Sequence, residues 1–143
     1  MLISCDTSFL VSLYGNDIHS ALALEYVGHK TILSVTPFIH FEFYSTLHLL
    51  EFRKNLKKEE VATRIAKFEN DLSAGCLIER SCNLRAILRD AKKYSSLYST
   101  TEGHRSFDVI HVAGALHLDA KIFLTFDKKQ KSLAKNLGLE LPF

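Results

Sequence analysis

Apolar residues fall along this chain in short runs that alternate with longer stripes of helical period. Leu2, Ile3, Ser4 and Cys5 form a compact run that stops at Asp6-Thr7-Ser8. That pattern predicts a buried strand whose carboxyl end delivers a carboxylate and then a helix cap. Phe9, Leu10, Leu13 and Tyr14 continue as a helix as far as Gly15-Asn16, and residues 19–29 predict a second short helix with Ala23, Tyr26 and Val27 inward. Residues 31–35 are apolar and β-branched, a second strand. Thr36-Pro37 supplies an N-cap and a first-turn proline, followed at helical spacing by Phe38, Phe41, Tyr44/Ser45 and the segment 48–52, with Glu42 set among them.

The charged residues 53–60 read as a linker. Val61, Ile65, Phe68 and Leu72 mark the next helix, which Gly75 closes, and residues 76–79 predict a third strand. Leu84, Ile87, Leu88, Ala91 and Tyr94 mark a further amphipathic helix, and the polar residues 97–103 read as the most mobile loop. Residues 106–115 predict a helix capped by Ser106, with Phe107, Ile110 and Ala113/Gly114 as its apolar stripe. The small residues Ala113, Gly114 and Ala115 imply that another backbone comes close. Residues 122–125 predict a fourth strand ending at Asp127, residues 128–136 a basic helix with Gly138 as its stop, and residues 139–141 a final short strand.

Strands alternating with helices imply an α/β protein, a three-layer α/β/α arrangement around a mainly parallel central sheet of about 4–5 strands. No repeat or linker divides the sequence, so residues 1–143 read as a single domain. The balance of 18 Lys and Arg against 16 Asp and Glu leaves a net charge of +2, too weak on its own to argue for nucleic acid. Three cysteines without a CxxC pair read as reduced, mostly buried thiols. Neither a signal-peptide pattern nor an apolar run of membrane-span length is present, so the expectation is a cytoplasmic protein with no membrane partner.

The acids carry the chemistry. In parallel sheets, sites form beyond the carboxyl ends of the strands. Asp6 and Asp127 each follow a strand, while Glu42 and Asp108 lie in the early turns of helices that can lead away from the same edge. A lone Asp at a helix start often only complements the helix dipole, and a lone Glu within a helix is usually solvated. Four carboxylates at one edge repel each other and need cations to offset them. Oxygen ligands suit Mg²⁺ or Mn²⁺, and the chemistry that most needs such a site is phosphodiester hydrolysis. On this reading Asp6 and Asp108 are primary ligands, and Glu42 and Asp127 complete the set directly or through water. Ser8 and Thr125 either orient a ligand or are ordinary cap and strand-end hydroxyls.

Other candidates are weaker. Of the seven histidines, His40, His48, His111 and His117 form no HExxH or closed zinc set, and His111 reads as a packed or hydrogen-bonded helix residue. His104 and Arg105 either contact a phosphate or are solvated. Lys128, Lys129, Lys131 and Lys135 either follow an RNA backbone or form a wet helix face. Val61, Ile65, Phe68 and Leu72 read as core, with a partner surface as the alternative.

The block Cys5-Asp6-Thr7-Ser8-Phe9-Leu10, Glu42 after Thr36-Pro37, the run from Phe107-Asp108 through Gly114-Ala115, and Leu124-Thr125-Phe126-Asp127 followed by Leu133-Ala134 and Gly138-Leu139 together resemble the PIN-domain ribonucleases. The resemblance is specifically to small single-domain toxins of the VapC type. It implies a PIN fold and a Mg²⁺- or Mn²⁺-dependent endoribonuclease, with Asp6, Glu42, Asp108 and Asp127 as its acidic set. It also implies RNA as substrate, a cognate antitoxin as partner, and a homodimer. Gly114 stands where Thr or another small residue is more familiar, a departure that touches packing. The alternatives are a PIN-like nuclease of RNA processing or turnover without an antitoxin, and a non-catalytic RNA- or protein-binding module. Intact acids at all four positions argue against the last.

Overall fold

Four short strands, β1 (Ile3–Cys5), β2 (Leu33–Val35), β3 (Leu77–Glu79) and β4 (Ile122–Leu124), lie in the order β3-β2-β1-β4, with every neighbouring pair parallel. The structure is a computed structural model and describes residues 1–28 and 31–143. Ser4 is opposite Ser34 on one side and Phe123 on the other. Alternation along the strands therefore sends Cys5, Leu33, Val35 and Leu124 to one face and Phe123 to the other.

Helices cover both faces. On the first lie α1 (Thr7–Leu13), α2 (Ser20–Val27), α3 (Pro37–Phe52) and α4 (Lys58–Ala74), whose Phe9, Ala23, Ile39, Phe43, Leu47 and Phe68 are fully buried. On the second lie α5 (Leu84–Tyr94), α7 (Ser106–His117) and α8 (Lys128–Asn136), contributing Ile87, Val112, Ala113 and Leu133. A π-helical turn (Ser95–Ser99) and the single turn α6 (Thr100–Glu102) join α5 to α7.

The strand–helix alternation and the parallel sheet agree with the sequence, as do the bounds of α3, α5 and α8. Several local expectations need correction. Residues 97–103 continue the preceding helix into the π turn and α6 instead of forming a loop. Gly103 ends them with φ of 70°, and Glu102 accepts hydrogen bonds from Ser132 that fasten the segment to α8. Residues 139–141 form no strand; Glu140 makes one parallel bridge to Ile122. The second helix spans only Ser20–Val27, and the expected end at His29 lies outside the described residues. Strand β2 begins at Leu33 and α4 at Lys58, inside the presumed linker. The buried stripe of α3 is Ile39, Phe43 and Leu47, whereas Phe41 is exposed. All three cysteines are free, and only Cys5 is buried.

Helix α7 also departs from its expected face. Ser106 is the first helical residue and Arg105 the cap position, with no side-chain cap bond. Phe107 is exposed, and the buried face runs through Asp108, Val109, His111 and Val112 to Ala115. The close approach implied by its small residues is real. A Cβ on Gly114 would lie 3.1 Å from Thr36 Cγ2, the residue whose hydroxyl accepts from Ile39 N–H to cap α3. Gly114 thus sets the distance between the helix that carries Asp108 and the one that carries Glu42.

Gly114→Val is expected to lower stability by about 1–3 kcal/mol through overpacking against Thr36. Urea unfolding of the variant beside the wild type measures it; equal midpoints would show that the contact yields without cost.

Candidate active site

Because the strands are parallel, β1, β2 and β4 all end at one edge, and each hands the chain to a helix cap. Asp6 accepts from Phe9 N–H at 2.9 Å, Thr36 from Ile39 N–H at 3.3 Å, and Asp127 from Gln130 N–H at 2.9 Å. Above this edge opens a cleft of about 440 Å³. All four acids expected from the sequence, Asp6, Glu42, Asp108 and Asp127, line it.

Asp6 is the deepest. It is fully buried, and donors surround it: Ser8 Oγ (2.7 Å to Oδ1), Phe9 N–H, Thr125 Oγ1 (2.6 Å to Oδ2) and Gln130 Nε2 (2.7 Å to Oδ2). The two hydroxyls are aimed by backbone groups. Ser8 Oγ accepts from Phe126 N–H at 3.2 Å and Thr125 Oγ1 from Asp127 N–H at 3.0 Å, which leaves each hydroxyl proton for the carboxylate. Ser8 and Thr125 both direct their hydroxyls at Asp6. Burial pushes the Asp6 carboxyl up from 3.8 to about 6, against the hydrogen bonds from Thr125, Phe9 and Ser8.

The other acids have different company. Glu42, half-buried on α3, meets His111 Nε2 at 3.0 Å, and the His111 side chain is entirely buried and within 3.4 Å of Thr7 Oγ1. Burial alone would raise the Glu42 carboxyl, but the bond and charge of His111, with Thr7 and Arg105, hold it below the usual range. Asp108 is buried in the first turn of α7, where burial raises its carboxyl and Asp127 adds to the rise against the pull of Arg105. Arg105 Nε lies 3.4 Å from Asp108 Oδ2 while most of its side chain faces solvent. Asp127 sits at the rim as the cap of α8.

Two residues at the site escaped sequence reasoning. Gln130 is 4% exposed, and its Nε2 bridges Asp6 Oδ2 and Asp108 Oδ1, the latter at 3.2 Å. Its place three residues after the cap Asp127, on a helix otherwise lined with lysine, was the available signal. His19 stacks on Phe126 with centroids 4.3 Å apart, and both line the cleft. Conversely, His104 turns inward to Glu102 at 2.7 Å with its side chain fully buried, and neither it nor the lysines of α8 line the cleft. His40 pairs with Glu69 and Glu79, and His117 with Asp90 at 2.7 Å.

Among the described residues, no three His, Cys, Asp or Glu side chains are drawn together closely enough to hold a metal ion. The four acids share a cleft rather than a closed coordination sphere. Their chemistry nonetheless fits a hard divalent cation: every donor is a carboxylate oxygen, and an amide N–H₂ stands between Asp6 and Asp108 where a positive charge would be favoured. The Oε1 of the same Gln130 is buried without a hydrogen-bond partner.

The PIN domain family matches residues 3–136. The chain belongs to that family. Membership places it in a family of nucleases. This PIN domain is similar in fold to VapC20 of Mycobacterium tuberculosis, described as a sarcin-ricin loop cleaving toxin, at 16% identity and a TM-score of 0.67, covering 91% of this chain and 93% of that one. It is also similar to PAE2754 from Pyrobaculum aerophilum (18% identity, TM-score 0.61, 99% and 83% covered). A third neighbour is VapBC-1 from nontypeable Haemophilus influenzae (16%, 0.57, 99% and 96%). No curated protein sequence matches this PIN domain.

Asp6 gives the fold a pH dependence. The folded protein keeps the Asp6 proton up to about pH 6, whereas the unfolded chain loses it near an ordinary value of about 4. Between these the folded state binds more protons, so stability contributed by protonated Asp6 is full below about pH 4 and is lost as pH rises through 6, by roughly 3 kcal/mol. Metal-free protein is therefore expected to unfold more easily at pH 7 than at pH 5, and Asp6→Asn to flatten that slope. Denaturation midpoints across this range, with EDTA present, provide the check.

Proposed function

We propose that this chain is a Mg²⁺- or Mn²⁺-dependent endoribonuclease and the toxin of a toxin–antitoxin pair. The observation that carries the proposal is the convergence of Asp6, Glu42, Asp108 and Asp127 on one cleft at the carboxyl edge of a PIN-domain sheet. When bound, a divalent cation would acidify a water and neutralise phosphate charge. Asp6 and Asp108 are the residues to hold it. They are the deepest of the four acids, and only a bridging amide separates them.

The remaining residues have roles that follow from position. His111 fixes Glu42 with its carboxylate turned toward the cleft and kept ionised, suited to accept a proton or hold a water. Arg105 spans from Asp108 to solvent, where a guanidinium can grip a phosphate. The stacked His19 and Phe126 offer an aromatic wall against which a base of a single strand can lie.

Antitoxin and homodimer rest on the family reading. Two of the three neighbours carry the VapC or VapBC name. Phe41 and Phe52, 64% and 82% exposed, lie about three turns apart on one face of α3 and need cover. No helix among the described residues is long and apolar enough to cross a membrane; a cytoplasmic site of action belongs to the proposal through the family reading. The three-layer unit is proposed as one domain spanning residues 1–143.

Purified protein incubated with total cellular RNA tests the central claim. Cuts are expected with Mg²⁺ or Mn²⁺ and not with EDTA. Asp108→Asn is expected to retain the far-UV circular dichroism of the wild type and to lose cleavage by at least about a hundredfold. A variant that cuts at the wild-type rate would remove Asp108 from the site. Asp127→Asn, at the rim, is expected to cost less than Asp6→Asn, about tenfold; the reverse order of initial rates would exchange their roles. Relief of growth arrest by Asp6→Asn, and by a small protein encoded beside the gene, would distinguish a toxin from a housekeeping nuclease.

A further inference from the structure

Asp6 has no lone pair to spare. A carboxylate offers about four acceptor sites, and Ser8, Phe9 N–H, Thr125 and Gln130 each direct one proton at it. A cation can reach Asp6 only if a donor leaves. Phe9 N–H is fixed in the first turn of α1, and the Ser8 and Thr125 hydroxyls are held by the backbone N–H groups of Phe126 and Asp127. Gln130 alone donates from the end of a long side chain, and its other amide atom, Oε1, is buried with nothing holding it. Its Nε2 also touches Asp108 Oδ1, so one group occupies the point between both carboxylates.

We propose that the Gln130 amide is a built-in competitor of the divalent cation: it fills the seat between Asp6 and Asp108 in the metal-free protein and must swing out for metal to bind. The inference rests on the metal-dependent reading above and deepens it. In the empty protein the amide N–H₂ offsets part of the repulsion between the two carboxylates. Those contacts are lost on loading, so they are subtracted from the apparent metal affinity. Gln130 thereby sets the cation concentration at which the site fills, without itself touching the reacting atoms.

Gln130→Met keeps the length and volume of the side chain and removes the donors. Titration calorimetry with Mn²⁺ is expected to give this variant a dissociation constant about tenfold or more below that of the wild type, the worth of one hydrogen bond to a charged group. Equal or weaker binding by the variant, with the wild type still binding Mn²⁺, would overturn the competition and leave the metal site standing. No Mn²⁺ bound by either protein would overturn the metal reading and this inference with it. If the variant fails to fold, the wild type answers alone: in ¹⁵N-labelled protein the buried Gln130 side-chain amide is expected to exchange rapidly with water once Mg²⁺ is added. An amide that stays protected while Mg²⁺ binds would show that it never leaves.

Discussion

The buried carboxylate of Asp6 is the constraint on which this sheet edge depends. An ionised group without partners in a dry interior costs many kcal/mol, and even a paired one needs its lone pairs met. The chain meets them from three places: the turn into α1 through Ser8 and Phe9, the end of β4 through Thr125, and the first turn of α8 through Gln130. Pairing β4 beside β1 is what brings Thr125 across to Asp6, since Leu124 stands opposite Cys5 in the register. Strand pairing, helix capping and carboxylate solvation are therefore one event. A slip of β4 by one residue would turn the Thr125 hydroxyl away and leave the acid uncompensated.

The acids avoid mutual repulsion by being compensated separately. Hydroxyl and amide donors serve Asp6, His111 serves Glu42, and Arg105 with Gln130 serves Asp108, while Asp127 stays near solvent and directs an oxygen at the N–H of Gln130. Two of the four double as N-caps, Asp6 for α1 and Asp127 for α8. A cap is worth about 1 kcal/mol, so part of the cost of keeping these charges is returned as helix stability. The edge that carries the four acids is thus also a structural one.

How much of this was legible in the sequence follows from what each feature depends on. The strands and helices are local patterns of period, cap and stop, and Thr36-Pro37 or Gly75 declare them outright. Asp6, Asp108 and Asp127 were legible because each sits at a boundary that the pattern itself marks, whereas Glu42, inside α3, stood out only by its apolar neighbours Phe41 and Phe43. Contacts between distant segments were not. His111 faces Glu42 because α7 packs across α3, and nothing in the run from Asp108 to Ala115 names a partner 69 residues away. Gln130 looked like one more polar residue on a basic helix until α8 was placed over Asp6. Residues 97–103 misled for a different reason: serine and threonine favour turns, yet here the side chains of Thr100 and Thr101 bond back to Ser96 and Tyr98 carbonyls and continue the helix.

A net charge of +2 is compatible with the proposed RNA substrate because attraction for phosphate need only be local. The cleft itself is lined by Asp6, Asp17, Glu42, Asp108 and Asp127 against Arg105 and His19, so its own field repels a polyanion. On the proposed function, RNA gains a welcome there only after cation charge has entered, and substrate binding is ordered behind metal loading by electrostatics alone. An amide that holds the metal seat until displaced raises the threshold for both steps at once. The same device that keeps the empty protein stable would then keep it from gripping RNA unproductively.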